Sequence, residues 1–257
     1  MNSLGAILSR DQVLRRAECE THGSYESRNL FRSIWSGCPQ CGAEREALEK
    51  IKRERKGQSE RFAAWERKLG AAGIPERFRD RSLGSFVART DAQRRALDFA
   101  SNYADRFDEA LETGCSALFI GTPGTGKTHL AVGIGLHIMN RDSRTVLFST
   151  VMRAIRHVKD TWSKDSEQSE TEAIASLTYP DLLILDEVGV QFGSETEKLI
   201  LFDVLNERYE NRLPTLLLSN LDLGGVRTYL GERVFDRLRE DGGDVIVFNW
   251  QSHRSQR

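Results

Sequence analysis

From about residue 80 onward, short unbroken apolar runs alternate with longer segments in which apolar positions recur every three or four residues. The runs predict strands over 115–120, 145–149, 181–186, 215–219 and 244–248. The periodic segments predict helices over 91–111, 127–139, 151–162, 195–211 and 232–240. Strands that are apolar on both faces and alternate with helices belong in a parallel sheet covered on two sides, so the expected class is α/β with five parallel strands. Upstream the pattern changes. Residues 44–70 are rich in charge, with Ala47, Leu48, Ile51 and then Phe62, Trp65 and Leu69 at helical spacing. Gly57-Gln58-Ser59 predicts a break between two helices, and the stretch from Gly70 to Pro75 ends the segment. Residues 1–45 carry few apolar runs. The expected organisation is a small module over 1–45, a charged helical linker over 46–79, and an α/β domain over 80–257.

Composition narrows the classes. An apolar share of 39% supports a real core, and a net charge of −1 sets up no global field toward nucleic acid or membrane. No apolar run is long enough to span a bilayer, and residues 1–16 lack an apolar stretch with a following cleavage site. A cytoplasmic protein without a membrane role is expected, and its four cysteines point to metal or burial rather than disulfides.

The chemistry begins at Gly121-Thr122-Pro123-Gly124-Thr125-Gly126-Lys127-Thr128, which fits G-x-x-x-x-G-K-[ST] between a predicted strand and a predicted helix. Glycines let successive backbone N–H groups turn toward an anion, and the helix N-terminus adds positive charge. Lys127 can reach the β- and γ-phosphates of ATP, and the Thr128 hydroxyl can ligate Mg²⁺. The apolar strand 182–185 ends in Asp186-Glu187, at the strand end where ligands of open α/β sheets bind. Asp186 is placed to hold the metal and Glu187 to deprotonate an attacking water, against the plainer reading of a solvated acidic pair. A second apolar strand ends in Asn220, either a group for the water or the γ-phosphate, or a turn former.

Gly121 to Leu130 (through His129), the run LILDEVGVQ from Leu183, Ser219-Asn220, LGERVFDRLR from Leu230 and VFNWQSHR from Val247 together resemble AAA+ ATPases, and among them the DnaC-like replicative helicase loaders. The resemblance covers residues 80–257. It implies an AAA+ P-loop core, a sensor role for Asn220, and an arginine finger, Arg237 or Arg233, that reaches a neighbouring copy. Such a finger ties hydrolysis to an ATP-dependent homo-oligomer. Either arginine could instead be an ordinary surface ion pair. Arg254 is a further candidate phosphate sensor.

Cys19-Glu20-Thr21-His22 and Cys38-Pro39-Gln40-Cys41 form C-x₂-H and C-x₂-C pairs, a closed set for structural Zn²⁺. A redox C-x-x-C lacks its βαβ context here, and unliganded thiols are the remaining alternative. His22 would be a ligand, not a base. Cys115 reads as a buried structural thiol. The resemblance implies that this module docks a DnaB-type helicase hexamer, whereas Arg28, Arg32, Tyr25, Phe31 and Trp35 would also suit nucleic acid. Val151, Met152, Ile155, Val158 and Trp162 share one helical face, with Arg153, Arg156 and Lys159 on another and His157 nearby. That basic stripe would suit single-stranded DNA, or be a solvated face. The leading expectation is an ATPase that loads the replicative helicase onto single-stranded DNA. An IstB-like transposition helper and an ATP-gated adaptor with little turnover are the alternatives.

Overall fold

The computed structural model describes residues 14–141, 144–190 and 194–253. Gln191 and Arg254 lie outside the described residues, and Phe62, Trp65 and Leu69 lie outside the described side chains. The chain divides into two compact units, residues 1–65 and 66–257.

In the first unit β1 (Leu14–Cys19), β2 (Gly23–Phe31) and β3 (Ile34–Trp35) form an antiparallel sheet. Cys19 pairs with Gly23 across the first turn, and Phe31 pairs with Ile34 across the second. Ser27 is the one fully buried residue among those described in this unit. Its hydroxyl donates to the Ser36 carbonyl at 2.6 Å. A three-stranded sheet with no apolar interior needs another source of stability. Helix α1 (Pro39–Ala71) follows. It runs unbroken through Gly57-Gln58-Ser59, so the expected break there is corrected: one glycine costs a helix only about 1 kcal/mol, which thirty-three residues of otherwise good helix formers absorb.

The second unit holds β4 (Ala117–Gly121), β5 (Val146–Thr150), β6 (Leu182–Val188), β7 (Thr215–Ser219) and β8 (Asp244–Phe248). All pair in parallel, in the order β5-β6-β7-β4-β8. This is a five-stranded α/β core with β4 inside the sheet, beside strands that arrive from later in the chain. Leu118, Leu183, Leu185 and Leu217 face one side, where α5 (Val151–Asp160), α6 (Glu170–Thr178), α7 (Glu195–Glu210), α8 (Leu223–Leu230) and α9 (Glu232–Arg239) cover them. On the other side lie α2 (Asp91–Asp105) and α4 (Lys127–Arg141). The expected helix 91–111 is two, α2 and α3 (Phe107–Thr113), which break at Arg106. Side-chain caps start several helices: Thr90, Ser169 and Ser194 each form a capping box. Arg208 of α7 is fully buried and binds the sheet's N-terminal edge, donating to the carbonyls of Thr178, Pro180 and Pro214 at 2.8, 2.8 and 2.6 Å and to the Thr215 hydroxyl at 3.0 Å.

Candidate functional site

β4 delivers the chain to Gly121, and the glycine-rich loop follows. Gly121, Gly124 and Gly126 all have positive φ, conformations that L-residues adopt at a cost. Two of them are also fixed by crowding. A Cβ on Gly121 would lie 2.2 Å from the Phe248 carbonyl oxygen, and one on Gly126 would lie 2.7 Å from the Phe86 ring. Thr125 closes the loop on itself, its hydroxyl donating to the Thr122 carbonyl at 2.8 Å. Helix α4 then starts at Lys127, so the loop sits at a helix N-terminus.

Lys127 is buried, 6% exposed. Its ammonium donates to the carbonyls of Gly121 (2.7 Å) and Thr122 (3.0 Å) and to Asn220 Oδ1 (2.9 Å). Loss of water pulls its pKa down to about 8, partly offset by the nearby Asp186 carboxylate. The next residue, Thr128, donates to Asp186 Oδ2 at 2.8 Å. Asp186 Oδ1 accepts the Glu187 backbone N–H at 2.8 Å. Glu187 itself has φ +64, an uncommon backbone state for a side chain of its size. The pairing of β6 with β7 shifts register between Leu185 and Val188, so a local bulge turns Glu187 outward. Its side chain is exposed. The loop, the acidic strand end and Asn220 thus converge, as the strand order requires.

His129 points away from this center. Its Nε2–H donates to the Ser82 carbonyl at 3.0 Å, and burial depresses its pKa. Its ring packs edge-on against Phe86, 5.4 Å between centroids. A cleft of about 630 Å³ opens beside the loop, with Arg77, Arg81, Phe86, Gln93, His129 and Trp250 among its walls. Neither Phe86 nor Trp250 is marked by the glycine-rich motif itself. The aromatic that follows the last strand was the available signal for Trp250.

The two arginines differ. Arg233 is exposed, with its guanidinium carbon 5.7 Å from the center of the Phe202 ring. Arg237 is half-buried and lies 4.8 Å over the Tyr209 ring, with Nη1 enclosed and lacking a hydrogen-bond acceptor. On the basic helix, Arg153 and Arg156 are exposed. Lys159 is instead held by Glu197 at 2.8 Å, and His157 meets the Ser176 hydroxyl at 3.0 Å. Trp162 falls beyond the end of α5, half exposed, its indole donating to Glu170 at 2.9 Å. Cys115 is partly exposed rather than buried.

In the other unit, donor atoms of Cys19, His22, Cys38 and Cys41 lie within 4.8 Å of one another. Cys19 and Cys41 sulfurs are 3.5 Å apart, and His22 Nδ1 is 3.8, 3.7 and 3.3 Å from the sulfurs of Cys19, Cys38 and Cys41. Tetrahedral zinc with Zn–S near ~2.3 Å and Zn–N near ~2.0 Å needs ligand separations of about 3.5–3.8 Å. Three of these four separations fall in that range and the Cys41–His22 one, at 3.3 Å, lies just below it, so the donor set is close to what zinc needs. His22 Nε2 sits 3.0 Å from Glu44, which fixes the proton there and leaves Nδ1 free to ligate. Backbone N–H groups of Thr21, then His22, hold the Cys19 thiol down to about 6, and proximity to Cys19 pushes Cys41 up to about 11. The cluster therefore could hold zinc.

Comparison with known proteins agrees with this picture. Residues 88–256 match the family of IstB-like ATP binding proteins. The replicative helicase loader DnaC of Buchnera aphidicola subsp. Schizaphis graminum is 36% identical over 189 residues, 74% of this chain and 75% of that protein. Its namesake from Escherichia coli strain K12 is 35% identical over 191 residues, 74% of this chain and 76% of that protein. Among solved structures, the DnaC helicase loader superposes with a TM-score of 0.61 at 23% identity, covering 67% of this chain and 99% of that one. DnaI superposes at 0.57 and 22% identity, covering 68% and 94%. These superpositions show the fold, and among the described residues no helix is long and apolar enough to cross a membrane. With the phosphate loop, the acidic strand end and the sheet order in place, this chain belongs to the DnaC-like helicase loader family of AAA+ P-loop ATP-binding proteins.

Proposed function

We propose that this chain is a Mg²⁺-dependent ATPase that loads a DnaB-type replicative helicase hexamer onto single-stranded DNA in the cytoplasm. The observation that carries this reading is the meeting of Thr128 with Asp186 at 2.8 Å, within a chain of the loader family. The residues Gly121, Thr122, Pro123, Gly124, Thr125 and Gly126, with Lys127, bind the triphosphate; His129 braces the start of the helix behind them. Thr128 and Asp186 would hold Mg²⁺, which would supply positive charge against the triphosphate. Glu187, turned outward by the bulge, takes the proton of the attacking water. Asn220 orients that water or the γ-phosphate once Lys127 engages the phosphates.

An arginine from a neighbouring copy completes the site. The exposed Arg233 reaches solvent as it stands, and Arg237 does so only after leaving Tyr209. In this reading residues 1–45 form a zinc module that docks the helicase, 46–79 a linker and 80–257 the ATPase. Leu30, Phe31 and Ile34 expose an apolar hairpin tip on that module, well suited to a protein partner.

The match to IstB-like proteins supports a second reading, a transposition helper acting on duplex DNA. Co-purification separates the two. The purified protein should retain a DnaB-type hexamer in the presence of ATP and show hydrolysis stimulated by single-stranded DNA. Capture of a transposase instead, with stimulation by duplex DNA alone, would replace the loader reading.

A further inference from the structure

The phosphate loop is gripped from outside by the chain that follows β8. Gly121, the last residue of β4, pairs with Phe248, the last of β8. Loop and tail therefore leave the sheet side by side. Phe248 is fully buried, its ring 5.3 Å from Phe119 and 4.9 Å from Trp250. That stack holds the Trp250 indole against the loop, where Nε1–H donates to the Thr125 carbonyl at 2.9 Å. Three residues on, the His253 backbone N–H donates to the Gly124 carbonyl at 3.0 Å. An indole N–H can only donate, so the carbonyl must face it.

Peptide geometry turns these two bonds into a constraint on the site. In a planar trans peptide the C=O and the following N–H point in opposite directions. Fixing the Gly124 and Thr125 carbonyls outward aims the N–H groups of Thr125 and Gly126 to the opposite side, where an anion would be cradled. We propose that Trp250, with the His253 backbone, is a brace that preorganises the phosphate loop for the polyphosphate of its nucleotide. Trp250 is a positioning residue: it acts on phosphate through the Thr125–Gly126 peptide. The inference rests on the nucleotide-binding reading above and adds to it the part that the tail plays.

Trp250→Phe keeps an aromatic ring on Phe248 and deletes the donor. Affinities for ATP and for inorganic tripolyphosphate, measured by calorimetry, should both fall about tenfold, the effect of one lost hydrogen bond at a preorganised site. The ligand-free melting temperature should stay within about 2 °C of the wild type. Unchanged affinity for both ligands overturns the brace. So does a loss confined to ATP, which would make Trp250 a wall of the nucleoside cleft instead. Failure of the wild type to bind either ligand removes the nucleotide reading and the brace with it. A second measurement uses a protein in which Trp35, Trp65 and Trp162 are replaced by Phe. The remaining Trp250 emission should change on adding tripolyphosphate and not on adding adenosine; a silent indole overturns the proposal.

Discussion

Thr128 Oγ1 donates to Asp186 Oδ2 across 2.8 Å, joining the two halves of the nucleotide site over 58 residues of chain. The hydroxyl and the carboxylate are both oxygen ligands suited to a hard cation, and here each uses the other. Asp186→Asn keeps an acceptor for Thr128 but loses the charge that would hold Mg²⁺. Hydrolysis should fall by at least about 100-fold, and nucleotide affinity should become nearly independent of Mg²⁺. Titrating labelled ATP with and without Mg²⁺, alongside turnover, checks both. A variant whose affinity still rises strongly with Mg²⁺ would dissociate Asp186 from the metal.

Glu187 combines an exposed carboxylate with φ +64, a backbone state that costs roughly 1–2 kcal/mol for a residue with a side chain. Strain kept at a strand end beside a phosphate loop suggests that the side chain is held there for its chemistry. Glu187→Gln should lower turnover by about 10²–10⁴-fold while ATP still binds. Glu187→Gly should be equally inactive yet unfold at the same or a higher urea concentration, since glycine removes the strain. Equal turnover in Glu187→Gln and wild type would favor the adaptor alternative.

In the unit that holds the cysteine cluster, Ser27 alone is fully buried among the described residues, so a bound zinc would supply much of its stability. Purified protein should hold about one zinc per chain by elemental analysis. Replacing Cys38 and Cys41 by Ser should release the metal and abolish protection of the β1–β2 amides in hydrogen exchange. ATP binding by the other unit should persist. Metal-free protein with a fully protected hairpin would show that the sheet stands without zinc.

All five core strands lie within about two residues of their expected places, because buried parallel strands are unbroken apolar runs between turns. The phosphate loop, Asp186 and Asn220 were legible for a related reason: each is a polar end to such a run. The three-stranded sheet of the first unit was not, since its strands bury almost nothing and leave no alternation to read. Helices α6 and α8 were missed too. Both are short, and their start signals are single caps, Ser169 with Glu172 and Asp222. Lys159 follows the expected helical spacing, whereas α5 ends at Asp160 and leaves Trp162 outside the helix expected over 151–162; periodicity also cannot foresee a partner such as Glu197 on another element.

Arg208 is a further case, because spacing alone does not distinguish a buried arginine from a solvated one. It is 0% exposed and its acceptors are carbonyls and a hydroxyl rather than a carboxylate. Burial pushes its pKa down to about 9, opposed by Tyr103 and Asp181. Arg208→Ala would orphan several buried carbonyls at the starts of β6 and β7 and leave a cavity. The expected loss of stability is about 3 kcal/mol or more, read from the urea midpoint at constant slope. Lysine should not restore it, because one ammonium cannot span the acceptors that a planar fork reaches.

The basic stripe proposed for single-stranded DNA is narrower than its sequence suggested. Lys159 is occupied by Glu197, which leaves Arg153 and Arg156 as the exposed cations of α5. Each phosphate contact on a single strand contributes about 0.7 to the salt slope. Arg153→Ala with Arg156→Ala should therefore weaken binding of an oligothymidine and flatten its salt dependence by about 1.4, as measured by anisotropy across a salt series. Lys159→Ala should leave that slope unchanged and lower stability instead, by up to about 1 kcal/mol for a partly exposed pair. A double variant that binds with wild-type affinity and slope would place the DNA contacts on another face.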